Sequence, residues 1–131
     1  MRHLEIIRQT RVEETPLCCF WKDNSDILHI VVKSKELNVA NIRDNFEAIK
    51  NLVKKKKTKV VIDVSSCQPM DIDDRFIIER QCSEMFDTMA FVSDTMLGTV
   101  IASSLIQQKS SEFQAKYFSD KQLAVQWLKD K

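Results

Sequence analysis

The sequence predicts an α/β fold, in which helices shield a β-sheet. The first observation is a β-branched apolar run at residues 59–66 (KVVIDVSS), with a helical pattern on each side. A run that is apolar on both faces is typical of a buried strand in a parallel sheet. The second observation is a pair of short apolar runs nearer the N-terminus, separated by turn residues, which indicates an antiparallel hairpin.

The hairpin is predicted close to the N-terminus. Pro16 ends a strand-like stretch over residues 4–14, and residues 17–21 then form the first strand of the hairpin. Residues 23–26 (DNSD) form a turn whose side chains tolerate a left-handed backbone in place of glycine. Residues 27–32 form the second strand, which we expect to pair with the first in antiparallel orientation.

A helix is predicted directly after the hairpin, from a cap at Asn38 to about Lys55. Its apolar residues recur at spacings of three and four, so they form one stripe that packs on the sheet. The stripe comprises Val39, Ile42, Phe46, Ile49 and Val53. Because the strand at 60–64 follows at once, a right-handed crossover should connect it to the hairpin.

Two further helices and a strand are predicted in the middle of the chain. Aspartates at 71–74 cap or begin a second helix that extends to about Phe86, and a buried strand follows at residues 89–92. Ser93, Asp94 and Thr95 cap a third helix. The packed faces of these two helices comprise Ile78, Cys82, Met85, Leu97, Ile101, Ser104 and Leu105.

The C-terminal part predicts one more strand and one more helix. Apolar and polar residues alternate over residues 113–118, which is typical of an edge strand. Residues 119–122 (SDKQ) fit the capping-box pattern and open a last helix. The side chains that pack from this helix are Leu123, Trp127 and Leu128.

Length and composition exclude several classes of protein. A chain of 131 residues, 44% hydrophobic and 30% charged, is expected to form one domain over residues 1–131. The net charge of +1 provides no general attraction for nucleic acid. The one basic run, residues 54–57, lacks interleaved aromatic residues and is read as the solvated end of a helix.

The glycine and cysteine content is informative. Gly98 is the only glycine, whereas phosphate-binding loops need several glycines, so we expect no nucleotide cofactor of these types and predict no cofactor. The four cysteines form no C-x-x-C pair, and because the first residues include charged side chains we expect no secretory signal. We therefore expect free thiols in a reducing cytoplasm, and no apolar run long enough to span a membrane.

Sites for catalysis or metal binding are weakly indicated. His3 and His29 are far apart in sequence, so no metal site is predicted. Ser65, Ser66 and Cys67 follow the central strand but lack the small residues that an exposed nucleophile needs on both sides. An enzyme remains an alternative only if Asp63, Cys67 or His29 converge in one cleft.

The aspartates at the start of the second helix admit two readings. Asp71, Asp73 and Asp74 superficially resemble a calcium-binding loop, but the glycine and the distant glutamate of that loop are missing. Helix capping explains them better, because negative charge is favourable at a helix N-terminus.

The order of elements resembles the STAS domain family, the SpoIIAA-like fold of bacterial anti-sigma-factor antagonists, over residues 17–131. The resemblance is carried by the segments 20–23 (FWKD), 27–30 (ILHI), 60–64 (VVIDV), 89–93 (MAFVS) and 118–120 (FSD), with Ala124, Trp127 and Leu128. It implies a mixed sheet of four to six strands with an antiparallel N-terminal hairpin, flanked by about four helices. More closely, the chain resembles a branch of small uncharacterised bacterial proteins of that fold.

The resemblance also implies a way of acting. Signalling members carry a phosphorylatable serine followed by glycine where the helix after the central strand begins. Here that place carries acids at 71–74, so we expect a surface fixed in a negative state.

We expect a non-enzymatic regulatory module that binds a protein or a small anionic ligand at the loops after strands 60–64 and 89–92. The site would use Asp71, Asp73, Asp74, Arg75, Ser93, Asp94 and Thr95. The alternative is a carrier of small hydrophobic ligands such as lipids, which would need an apolar pocket between a helix and the sheet. The hairpin or the edge strands offer a route to a homodimer.

Overall fold

A six-stranded mixed sheet lies at the centre of the computed structural model, which describes residues 11–53, 57–108 and 113–131. The strands lie side by side in the order of the sequence. They are β1 (Glu13–Glu14), β2 (Cys18–Lys22), β3 (Leu28–Val32), β4 (Thr58–Asp63), β5 (Phe86–Val92) and β6 (Gln114–Phe118). The helices of the described residues are α1 (Val39–Val53), α2 (Ile72–Met85), α3 (Met96–Gln108) and α4 (Lys121–Lys129).

The N-terminal hairpin is formed by β2 and β3, which pair antiparallel from Cys18 opposite Val32 to Lys22 opposite Leu28. A carboxylate oxygen of Asp23 accepts hydrogen bonds from the backbone N–H groups of Ser25 and Ile27, at 2.7 and 3.1 Å. Asp26 adopts a φ of 65°. The prediction that side chains tolerant of a left-handed backbone would serve this turn in place of glycine is therefore confirmed at Asp26.

The strand pairs β3–β4, β4–β5 and β5–β6 are parallel, and a helix connects each pair. Each crossover moves one strand further in the same direction, so crossovers of one hand place all three helices on the same face. α1, α2 and α3 accordingly share one apolar cluster with that face. α4 packs alone on the opposite face, over β4, β5 and β6.

The central strand β4 is buried on both faces, as predicted. Val60 and Ile62 belong to the cluster under α1–α3, whereas Val61 belongs to the cluster under α4. Each of the three side chains is at most 8% exposed. Burial on both faces explains why this run does not alternate between apolar and polar residues.

The structure corrects some details of the predicted helices. Val39, Leu97 and Leu123 were expected to pack, but all three are exposed. Val39 lies at the start of α1, and Leu97 and Leu123 lie in the first turns of α3 and α4. The cap of α4 is Asp120, whose carboxylate accepts from the N–H of Gln122, and not Ser119 as the capping-box pattern suggests.

Several predictions fall at the limits of the described residues. Of the strand predicted over residues 4–14, the structure describes only the end, where β1 pairs antiparallel with β2. The predicted end of the first helix near Lys55 lies outside the described residues, as does most of the basic run 54–57. β6 lies at the edge of the sheet, as the alternating pattern indicated.

All four cysteines are free thiols, as predicted. Burial raises the pKa of Cys18 to about 12 and that of Cys67 to about 11, so both remain protonated at neutral pH. Among the helices of the described residues, none has the length and apolar character needed to cross a bilayer.

Candidate functional site

The loops that follow β4 and β5 lie next to each other, because the two strands are parallel neighbours. Ser65 connects the loops. Its hydroxyl accepts a hydrogen bond from the N–H of Asp94 at 2.9 Å, and its carbonyl accepts one from the hydroxyl of Thr95 at 2.8 Å. The helices α2 and α3 begin at these loops. The structure therefore brings the predicted site residues together at one end of the sheet.

The acids of the first loop have different roles. Asp71 is the N-cap of α2, and its carboxylate accepts from the N–H of Asp74 at 2.9 Å, which confirms the capping interpretation. Asp73 is exposed, whereas Asp74 is buried. Burial, together with the neighbouring carboxylates of Asp71 and Asp73, raises the pKa of Asp74. The outward negative charge of this loop thus comes from Asp71 and Asp73.

The hydroxyl groups of the second loop are occupied within the protein. Ser93 is buried, and its hydroxyl donates to the carbonyl of Thr95 at 2.9 Å and accepts from the Thr95 N–H at 3.0 Å. The hydroxyl of Thr95 caps α3 by accepting from the N–H of Gly98 at 3.0 Å. Tyr117 donates to the carbonyl of Ser93. Of the three residues predicted in this loop, Asp94 is the one whose side chain is free to meet a partner.

Arg75 is half-buried in the first turns of α2, and its Nε atom is buried without a hydrogen-bond partner among the described residues. The predicted site thus contributes three exposed carboxylates to the protein surface, at Asp71, Asp73 and Asp94. No group of three or more metal-ligating side chains occurs in the part of the chain that the structure describes.

Beside these carboxylates lies an apolar surface that the sequence interpretation missed. We name it the α2–α3 surface. It consists of the exposed side chains of Ile72, Phe76, Met96, Leu97 and Val100. Met96 is 85% exposed and Phe76 57% exposed. The residues lie in the first two turns of two helices that run parallel and pack against each other.

A signal for the α2–α3 surface is present in the sequence. α3 contains no charged residue in its 13 positions. A helix on the surface of a soluble protein normally carries charged or polar residues on its outer face. Leu97 and Ile101 are four residues apart, so the apolar periodicity assigns both to the packed face of α3. The apolar residues on the outer face of the helix are therefore missed.

An apolar cavity of about 90 Å³ lies between the sheet and helices α1–α3. Its walls include Ile30, Phe46, Ile62, Met70, Cys82 and Met89. Asn45 and Glu79 also contact it, and the amide oxygen of Asn45 accepts a hydrogen bond from the hydroxyl of Thr15. The core on this side of the sheet is therefore not completely filled.

On the opposite face, His29 and Asp23 form a pair, with the His29 Nε2 atom 2.8 Å from the Asp23 carboxylate. Trp21 stacks on the imidazole at a centroid distance of 5.1 Å, and the ammonium of Lys121 lies over the indole. Burial lowers the pKa of His29, and Lys121 adds to this effect, against the opposing effect of Asp23. His29 is therefore neutral at pH 7.

Two residues of the enzyme alternative, His29 and Cys67, do not converge. His29 pairs in register with Val61, so it lies on the face covered by α4. Cys67 belongs to the cluster under helices α1–α3 on the other face. The sheet separates the two side chains, so they do not form the common cleft that this alternative requires.

Comparisons with known proteins place the chain among proteins of unknown function. The sequence model of DUF7793, a domain of unknown function, matches residues 20–131. No curated protein matches the chain. Among solved structures, the chain is similar to an uncharacterised protein of the DUF3478 family with a SpoIIAA-like fold, from Shewanella loihica PV-4. The two share 14% sequence identity over 91% of each chain, with a TM-score of 0.58. This similarity shows the fold, and confirms that it is SpoIIAA-like.

Proposed function

The chain belongs to the DUF7793 family, and we propose that it is a non-enzymatic module that binds a protein partner through the α2–α3 surface and the acidic loops beside it. The observation that supports the proposal is the exposure of five large apolar side chains on two adjacent helices. Single exposed apolar residues are common, but a contiguous group rimmed by polar residues is typical of an interaction site.

The loops after β4 and β5 support the same proposal, because hydrogen bonds hold them in place. The hydrogen bonds of Ser65, Ser93 and Thr95 fix the two loops to each other, and the cap at Asp71 fixes the start of α2. A surface fixed in this way loses little conformational entropy when a partner binds. Because the start of α2 carries aspartates, its negative charge does not depend on phosphorylation.

The experiment is a capture from the native cell lysate by the tagged chain, with bound proteins quantified by mass spectrometry. Phe76→Ser combined with Leu97→Ser should reduce the recovery of the specific partner about tenfold or more, since central apolar contacts dominate interface energies. Asp73→Ala should reduce it less. The matched control is Leu123→Ser, because Leu123 is also an exposed leucine but lies on the opposite face.

The outcome that contradicts the proposal is equal recovery of every protein by the wild type, the Phe76→Ser/Leu97→Ser variant and the control. Both altered residues of the double variant are more than 40% exposed, so the fold should persist. Circular dichroism of each variant verifies this before the capture is interpreted.

A second candidate function is a carrier of small hydrophobic ligands, and the apolar cavity favours it. An apolar cavity of about 150 Å³ remains dry and holds benzene, so a cavity of about 90 Å³ suits a smaller apolar molecule or the end of an aliphatic chain. Met70 and Met89 line the cavity, whereas Met96 lies on the α2–α3 surface.

The carrier is tested by NMR of the chain labelled with ¹³C at the methionine methyl groups, under xenon and with n-hexane. Binding in the cavity should shift the Met70 and Met89 signals and leave Met96 unchanged. Cys82→Leu, which adds volume to the cavity wall, should abolish these shifts. Unchanged Met70 and Met89 signals at saturating xenon and hexane would exclude the carrier.

A further inference from the structure

We propose that the partner of the α2–α3 surface presents an amphipathic helix whose apolar stripe is flanked by lysine or arginine. This inference rests on the proposed function and adds the chemistry of the partner to it. The apolar residues recur at helical spacing, with Ile72 and Phe76 four residues apart on α2 and Met96 and Val100 four residues apart on α3. Two parallel helices with such ridges accommodate a third helix between them.

The positive charge expected on the partner helix follows from the carboxylates at the rim of the α2–α3 surface. Asp73 and Asp94 are exposed at the starts of the two helices. In the part of the chain that the structure describes, neither carboxylate makes an ion pair or a hydrogen bond with its oxygens. α3 itself is uncharged. α2 carries four acidic residues against two arginines, Arg75 and Arg80, so the surface keeps a net negative charge that attracts cations.

The same rim disfavours two other occupants. A symmetric dimer through this surface would bring two copies of the same patch together, and with them the Asp73 and Asp94 carboxylates of both chains. Like charges at an interface oppose association. A bilayer with anionic headgroups attracts basic segments and repels this rim for the same reason. The charges therefore select a basic protein segment.

The test uses two synthetic helical peptides with the same leucine stripe, one with lysines and one with glutamates on its polar face. The full-length chain carries ¹³C-labelled methionine methyl groups, and the Met96 signal reports binding. The lysine peptide should bind about tenfold or more tightly than the glutamate peptide, and its affinity should fall as salt rises. The buried Met89 should be unaffected.

Charge reversal provides the matched control. Asp73→Lys combined with Asp94→Lys should invert the preference between the two peptides, whereas Asp87→Lys, at an exposed carboxylate near the start of β5 and so at the opposite end of the sheet, should leave it unchanged. Equal affinity of both peptides for the wild type overturns the basic-helix inference but leaves the proposed function intact. A dimer by light scattering that Phe76→Ser abolishes also overturns the basic-helix inference and leaves a protein partner for the surface. Binding of the chain to phosphatidylserine vesicles that Phe76→Ser abolishes overturns both the basic-helix inference and the protein partner of the proposed function.

A different result is expected if the α2–α3 surface does not bind a partner at all. In that case Phe76→Ser combined with Leu97→Ser changes neither the affinity of the lysine peptide nor the proteins captured from the native lysate. The two experiments together therefore separate an incorrect partner chemistry from an incorrect surface.

Discussion

His29 illustrates how one buried side chain couples stability to pH. The pKa of Asp23 is lowered overall, because hydrogen bonds from His29 and from the backbone of Ile27 and Ser25 outweigh its burial. Asp23 is thus ionised and can only accept, so the Nε2 atom of His29 carries the proton. The Nδ1 atom of His29 is buried without a partner among the described residues. A second proton on this ring would be buried without an acceptor.

We predict that the protein loses stability as pH falls below about 6.5, the ordinary pKa of histidine. The folded-state pKa of His29 lies below this value, so the unfolded chain takes up a proton that the folded chain does not. The stabilisation that comes from keeping His29 neutral is complete above the pKa of histidine in the unfolded chain. It is lost as the pH falls below that value towards the pKa of His29 in the folded chain. Urea unfolding of the wild type and of His29→Gln at pH 7.5 and 5.0 measures the change in the free energy of unfolding between these pH values.

His29→Gln keeps a donor for Asp23 and removes the titration, so its stability should decline less between these two pH values. Asp23 titrates below this window, because its own pKa is lowered from 3.8. If the decline is the same in the variant and the wild type, His29 is not its source. An NMR titration of the imidazole gives the folded-state pKa directly.

At the scale of an element, α3 depends on its single glycine for its position. A Cβ atom at Gly98 would lie 2.3 Å from the hydroxyl oxygen of Ser93 and 2.6 Å from the carbonyl oxygen of Val64. The Ser93 hydroxyl is fixed by its two bonds to Thr95, and the Val64 carbonyl belongs to the backbone at the end of β4. The lone glycine is therefore required by a close approach of α3 to the sheet.

We predict that Gly98→Ala destabilises the protein by about 1–3 kcal/mol, although alanine favours a helix over glycine by about 1 kcal/mol. The reason is that α3 must move away from the end of β4 to make room for the methyl group. Thermal and urea unfolding measure the change. Three atoms would lie within 3.0 Å of the new Cβ atom, and Ser93→Ala/Gly98→Ala removes the nearest of them, with the Ser93→Ala single variant as its reference. An increase in stability on Gly98→Ala would contradict the account.

At the scale of the whole molecule, the two faces of the sheet are covered unequally. Three helices cover one face, which leaves a cavity, whereas α4 alone covers the other. Leu128 and Ala124 of α4 are fully buried against Val61, Ala90 and neighbouring residues. One short helix of nine residues provides all of this packing. Truncating a single buried side chain of α4 should therefore weaken the whole apolar cluster between α4 and the sheet.

We predict that Leu128→Ala lowers the free energy of unfolding by about 2–5 kcal/mol, the range for a leucine removed from a packed core. Leu123→Ala in the same helix is the control, because Leu123 is 59% exposed, and its effect should be within about 0.5 kcal/mol. Urea unfolding measures both variants. Similar losses for the two variants would mean that α4 does not pack as described.

The succession of strands and helices along the chain, the hairpin turn, the buried central strand and the presence of helix caps within residues 71–74 and 93–95 could all be predicted from the sequence. These features follow from local rules: apolar periodicity, burial on both faces and the hydrogen-bonding chemistry of aspartate and threonine next to a helix start. The sequence also placed the acidic residues of the candidate site in the correct loops, because parallel neighbouring strands end at one edge.

Which apolar residues face solvent, and which polar groups already have hydrogen-bond partners, could not be predicted from the sequence. Leu97 and Ile101 are equally apolar in the sequence, but the close contact at Gly98 orients α3 so that Ile101 is buried and Leu97 is exposed. Ser93 similarly looked available and is buried among bonds to Thr95. Burial and the cavity depend on contacts between residues far apart in the chain, and these contacts leave no local pattern.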